Sequence, residues 1–116
     1  MGSCSFPKTE RLLNRKDFVN LIRSGKRYHT EHYSVTLGRN GLGRTRLGVT
    51  ASKRIGNAVE RNRVKRLVRE FFRLHKCRLP SGVDIVVTGK KGASGLDLSR
   101  TSEELGAILL DKNHYI

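Results

Sequence analysis

Acidic side chains are scarce in this sequence: ten Asp and Glu face 24 Lys and Arg among 116 residues, a net charge of +14 with His neutral and a pI near 10.8. Such an imbalance excludes a surface neutralised by its own ion pairs and implies a polyanionic partner, with nucleic acid the first candidate. Cysteine is equally sparse. Cys4 and Cys77 are too few and too far apart for a disulfide framework, and Cys77 with His75 lacks the paired spacing of a zinc site. No apolar run approaches the ~20 residues of a membrane-spanning helix, and no secretory apolar region follows the N-terminus. A cytoplasmic protein without a membrane partner is therefore expected.

A carboxylate cluster is also missing. Asp17, Glu31, Asp84 and Asp97 fall in different elements without recurring spacing, which argues against a nuclease holding its own pair of metal ions. His29 and His32 flank Glu31 and could imitate a metal-free ribonuclease, but along a strand residues 29 and 31 share one face while 32 points away. A polar patch on an edge strand is the simpler expectation. The two Gly-rich pieces are turns: GRNGLGR joins two strands, and GKKGASG lacks the Gly-x-x-x-x-Gly-Lys-Ser/Thr spacing that cradles nucleotide phosphates. Lys90 and Lys91 in the second remain candidates for touching a backbone phosphate.

What the chain does have is a directed charge. Up to Lys91 it carries 22 basic and six acidic side chains, +16, and from Gly92 onward two against four, −2. From Lys53 to Arg78 ten Lys and Arg meet only Glu60 and Glu70, too few acids for pairing along a helix to offset the repulsion. Val64, Leu67, Val68 and Phe71 recur at i, i+3, i+4 and i+7, so they form a buried helical stripe. Lys65, Arg66, Arg69 and Arg73, with Asn62, then fall on the opposite side, and Arg61 and Arg63 flank the stripe. Asn57 as N-cap and Glu60 three residues on predict a capping box and a helix starting near Ala58. His75 falls on the apolar side as a half-buried residue. A charge run is often only a solvated face; here the surplus of cations favours an anionic partner.

The chain length suits one domain, residues 1–116, with residues 1–13 a loosely ordered lead-in. Asn14 caps a short helix with Phe18, Leu21 and Ile22 as its apolar side and Gly25 at its C-terminal stop. A short strand near Lys26 to His29 is weakly indicated. Tyr33, Val35 and Leu37 alternate with polar residues, as do Leu47, Val49 and Ala51, and the two runs are expected to pair as an antiparallel hairpin. The apolar DIVVT run from Asp84 to Thr88 suits an interior strand. Thr101 with Glu104 predicts a capping box for a last helix that buries Leu105, Ile108 and Leu109. The expected order is α-β-β-β-α-β-α, an α+β domain.

The stretch RIGNAVERNRVKRLVRE resembles the signature of the bacterial ribonuclease P protein family, with its Arg-Asn-Arg helix here as Arg61, Asn62 and Arg63. The likeness extends to the Asp-Phe of the first helix (Asp17 and Phe18), the Leu-Gly-Val strand (Leu47 to Val49) and the Asp-Ile-Val-Val strand (Asp84 to Val87). It implies a mixed sheet with a left-handed β-α-β crossover. It also implies a catalytic RNA subunit as partner, and removal of the 5′ leader of precursor tRNA by hydrolysis assisted by Mg2+ held mainly by RNA. No catalytic residue, protein-bound metal or DNA partner is expected in this chain. By the same resemblance Asn57, Arg61, Asn62, Arg63, Lys65, Arg66 and Arg69 meet the RNA subunit, while Phe18, Lys53 and Lys90 lie at the cleft for the leader. Phe18 is open to two readings, cleft or core. Ile22 and Thr36 stand where the family often has aromatics, which weakens the stacking expected there. The rival readings are a non-enzymatic RNA-binding protein of ribosomal or assembly type and a self-sufficient basic ribonuclease.

Overall fold

The computed structural model describes residues 15–41, 45–51, 53–75, 78–79 and 82–111; the side chains of Arg15, Asp17 and Phe18 lie outside that description, as do Asn14, Cys4 and Cys77. In chain order the elements are α1 (Arg15–Ser24), β1 (Lys26–His29), β2 (Tyr33–Arg39), β3 (Arg46–Ala51), α2 (Ala58–His75), β4 (Val83–Gly89), a 3-10 turn (Ala93–Gly95) and α3 (Leu98–Leu109). This is the expected α+β order, and the weakly indicated β1 is a true strand.

The four strands lie in the order β1-β2-β4-β3. The predicted hairpin between β2 and β3 does not form: β4 lies between them, antiparallel to β2 and parallel to β3. Burial explains the insertion. Val83 to Val87 are all buried, so β4 needs neighbours on both edges and cover on both faces; β2 shares that interior position between β1 and β4, whereas β3, half-buried from Val49 onward, suits the edge. Proximity in sequence favours a hairpin, but it is overridden by the more apolar strand. Parallel neighbours cannot be joined by a tight turn, and α2 provides the crossover from β3 to β4.

Register separates the two faces of the sheet. Val35 opposes Val87, Leu37 opposes Ile85 and Leu47 opposes Ile85 from the other edge; these side chains form one core with Val64, Val68, Phe71 and Phe72 of α2 and Leu105, Ile108 and Leu109 of α3. The helical stripe is thus shifted from the one expected. Phe72 is buried and Leu67 is only half-buried, because α2 is clasped between the sheet and α3 and turns the Phe72 side inward. The other face carries a small second cluster, Leu21 on Val86. Ile22, expected in the α1 stripe, is 44% exposed. Gly25 follows α1 at a place with no room for a side chain: an added Cβ would lie 2.7 Å from the carbonyl oxygens of both Leu21 and Leu37.

The last helix also starts differently from the expectation. Asp97 is its N-cap and accepts from the Arg100 N–H at 2.8 Å, while Thr101 and Glu104 sit one turn further on, with the same i, i+3 spacing but with tertiary partners. Thr101 shares a hydrogen bond with the Tyr33 hydroxyl at 3.0 Å. Glu104 accepts from the Thr30 hydroxyl at 2.7 Å, the His32 backbone N–H at 2.9 Å and His32 Nδ1 at 2.6 Å. These bonds fasten α3 to the β1–β2 turn.

Burial pushes the Glu104 carboxyl up, but the His32 and Thr30 hydrogen bonds outweigh it and hold the group below the usual carboxylate range. Its contribution to stability is therefore complete above the unfolded-state value and lost as pH falls through the lower folded-state value. Thermal melts at descending pH should show this loss on the acid side, and Glu104→Gln should remove that share of the pH dependence while lowering the melting temperature at neutral pH. Melting curves of the two proteins that keep the same acid slope would sever Glu104 from it.

Candidate nucleic-acid interface

The N-terminus of α2 is built as the spacing predicts. The Asn57 side-chain oxygen accepts from the Glu60 N–H at 2.9 Å, and Glu60 reaches back to the Asn57 N–H at 3.3 Å. Gly56, at φ +147°, lets the Glu60 carboxylate fold against the chain where a Cβ would collide with it. With its start fixed and its Val64, Val68, Phe71 and Phe72 side buried, α2 has one rotational setting. Asn62, Arg66 and Arg69 are exposed and Lys65 is half-exposed. No described side chain pairs with Lys65, Arg66 or Arg69 in an ion pair or hydrogen bond, so this ridge presents uncompensated cations to solvent.

The remaining basic residues of α2 are more committed. Arg73 makes a bidentate pair with Glu70, whose hydrogen bond from Arg73 holds the Glu70 carboxyl below its ordinary value. Arg63 donates from Nε to the Ser94 carbonyl at 2.9 Å and from Nη2 to the Leu96 carbonyl at 3.0 Å, clamping the turn after β4 against α2. Arg61 is half-buried, and its Nε is out of reach of solvent without an acceptor among the described residues. The candidates named on this helix thus divide into an outward ridge (Asn62, Lys65, Arg66, Arg69), a cap (Asn57) and two residues drawn toward the protein (Arg61, Arg63). His75 is half-buried, bonds the Phe71 carbonyl at 3.0 Å through Nδ1 and stacks on the Phe71 ring.

A second basic region lies at the carboxyl ends of β3 and β4. Lys53 and Arg54 are exposed in the turn after β3, and Arg54, Gly89, Lys90 and Lys91 line a cavity of about 540 Å³. Lys90 Nζ donates to the Thr30 carbonyl at 2.9 Å and its backbone N–H to the His32 carbonyl at 2.8 Å, so this lysine is positioned by the β1–β2 turn. Arg54 was missed by sequence reasoning. Its signal was available only as a charge next to Lys53, and the fold was needed to bring it to the turn after β4.

Beside this region the sheet offers a polar row on the face opposite the main core. His29, Ser34, Thr88 and Thr50 are register partners across all four strands, and the Thr50 hydroxyl donates to that of Thr88 at 2.8 Å. Next to it Thr36 is buried beside Val86, its register partner. Phe18, assigned to the same cleft, is on α1, and its side chain lies outside the described residues. His29 and His32 are divided between elements, His29 closing β1 and His32 engaged with Glu104.

The carboxylates found here are tied to other groups of the protein. Asp84 accepts from Arg46 through both oxygens at 2.7–2.8 Å and from Asn40 at 2.7 Å; Glu104, Glu70 and Glu60 are held as above. Among the described residues no three His, Cys, Asp or Glu gather as a metal site, and no described helix is long and apolar enough to cross a membrane. The chemistry available to this surface is cation and hydrogen-bond donation to phosphates, over a sheet face lined with hydroxyls.

Comparison with known proteins agrees with this geometry. A family model described as Ribonuclease P matches residues 6–113. The ribonuclease P protein component of Desulforapulum autotrophicum is 45% identical over 93% of this chain and 92% of its own length, and that of Syntrophus aciditrophicus 41% over 94% and 92%. Among solved structures, the ribonuclease P protein of Thermotoga maritima superposes with a TM-score of 0.79 at 37% identity over 87% of this chain and 96% of that one. That of Staphylococcus aureus does so with a TM-score of 0.80 at 30% identity, over 88% and 94%.

Proposed function

Since the chain belongs to the bacterial ribonuclease P protein family, as the protein subunit of the endoribonuclease that processes the 5′ end of precursor tRNA, we propose that α2 grips the catalytic RNA. The observation that carries this is the ridge of Lys65, Arg66 and Arg69, directed outward and paired with no described side chain of the protein. Asn62 adds amide contacts, Arg61 reaches the RNA from the edge of the buried stripe, and the Asn57 cap keeps donors of its amide nitrogen at the positive end of α2. The whole chain, 1–116, acts as a single RNA-binding domain.

The leader of precursor tRNA crosses the hydroxyl-lined sheet face toward Lys53, Arg54, Lys90 and Lys91, with Phe18 available to stack on a base. Mg2+ is required, and RNA phosphates hold it; Asp84, Glu104 and Glu70 are engaged by Arg46, by His32 and Thr30, and by Arg73. When bound, the ion supplies an activated water and stabilises the leaving oxygen. This chain's own work is positioning, and effective concentration is what it contributes to catalysis.

Cleavage assays test the proposal. Precursor tRNA should be cut by the RNA subunit alone only at high magnesium, by RNA plus protein at low magnesium, and not by protein alone. Robust cutting by purified protein free of RNA would place the chemistry in this chain and end the reading.

Arg63 acts on RNA mainly by holding the turn that carries Lys90 and Lys91. Arg63→Ala is therefore expected to lower thermal stability by about 1–2 kcal/mol through two lost charged hydrogen bonds, and to weaken leader binding. It should change the salt dependence of RNA-subunit binding less than Arg66→Ala does. Equal slope changes for the two variants would make Arg63 a direct phosphate ligand instead.

A further inference from the structure

The outer side of α2 is concave as well as charged. Between α2 and the first turn of α3 runs a groove of about 600 Å³ whose apolar lining is Leu67 and Leu98, both half-buried. Lys65, Arg66 and Arg69 line the same groove, and the Glu70–Arg73 pair adjoins them with its charges already mutually satisfied. A duplex backbone offers phosphates to the cations of such a surface and has no use for the apolar side chains of Leu67 and Leu98 between them. Leu67 at this place also breaks the economy of the helix, since its i, i+3 relation to Val64 would allow full burial and the fold leaves it half in solvent.

We propose that this groove seats one unpaired nucleobase extruded from the RNA subunit, its flat apolar face against Leu67 and Leu98 and its flanking phosphates on Lys65, Arg66 and Arg69. Asn62, at one side of the groove, supplies an amide able to donate to and accept from the edge of a base. The volume is within the ~300–1,000 Å³ of small-molecule clefts, so one base fits with room to spare. Single-stranded bulges and loops are the elements of RNA whose bases are free to be splayed out and packed in this way. The inference rests on the reading that α2 meets the RNA subunit, and adds that recognition there is of a particular unstacked nucleotide as well as of charge.

The test compares Leu67→Ser and Leu98→Ser with Arg66→Ala plus Arg69→Ala in binding to the RNA subunit across a salt series, with folding of each variant checked by its melting curve. Removing either leucine should weaken binding roughly tenfold while the salt slope stays at the wild-type value, because the lost contact is apolar. Base-specific chemical probing of the RNA in the wild-type complex should show a protected unpaired nucleotide that becomes reactive with Leu98→Ser. Wild-type affinity in both serine variants, with the arginine variant impaired, would overturn the nucleobase seat and leave the phosphate ridge standing. Unchanged binding in all three would overturn both.

Discussion

Val64→Asp is expected to abolish cooperative folding under conditions in which the wild type is folded. Val64 is fully buried, with a γ-methyl close against the backbone of Gly89 on β4 and beside Ile55. A carboxyl group placed there, within the apolar core cluster, must remain protonated or draw water into the core, a loss of several kcal/mol in either case. The lost methyl contacts add to that cost. Domains of this size are stable by only about 5–15 kcal/mol. Val64→Ala should be far milder, near 2 kcal/mol, because it removes packing without importing an unpaired polar group. Circular dichroism during urea titration distinguishes them: a normal two-state transition for Val64→Asp at the wild-type midpoint would mean that α2 presents this side to solvent, with the ridge turned inward.

The contrast between these two substitutions also explains what could be read from the chain before folding. The orientation of α2 was legible because helical periodicity, a capping box and a charge-free stripe are local properties, and each pointed the same way. Strand order was not. The GRNGLGR turn between β2 and β3 is a local signal for a hairpin, whereas the insertion of β4 depends on how much apolar surface a strand 30 residues further on must hide. The Thr101–Glu104 pair failed for a related reason: Thr-x-x-Glu spacing describes two residues on one face of any helical turn, and only the position of the β1–β2 turn makes them tertiary ligands of Tyr33, Thr30 and His32. Arg63 looked equal to its neighbours in sequence, and its commitment to the Ser94 and Leu96 carbonyls follows from where β4 ends. The pocket lined by Arg54, Lys90 and Lys91 joins residues more than 30 positions apart, so it existed as a site only once the crossover had been made.

Arg66→Ala combined with Arg69→Ala is the sharpest functional prediction, since it alters the ridge without touching the core. Both side chains are exposed and pair with no described side chain, so the melting temperature should hold. Each lost charged contact to phosphate is worth about 1.5 kcal/mol, close to tenfold in affinity, and the double variant should bind the RNA subunit about a hundredfold more weakly at low salt. Each contact also releases counterions, so the dependence of log K on log salt should flatten by ~0.7–0.9 per arginine. The consequence for catalysis follows directly. At low magnesium the variant should fail to support cleavage of precursor tRNA at protein concentrations that suffice for the wild type, and higher protein should restore much of the rate, because positioning of the leader by Lys53, Arg54 and Lys90 is untouched. A loss of rate that no excess of protein restores would assign these arginines to the reaction step itself, and an unchanged salt slope would remove them from the phosphate contact.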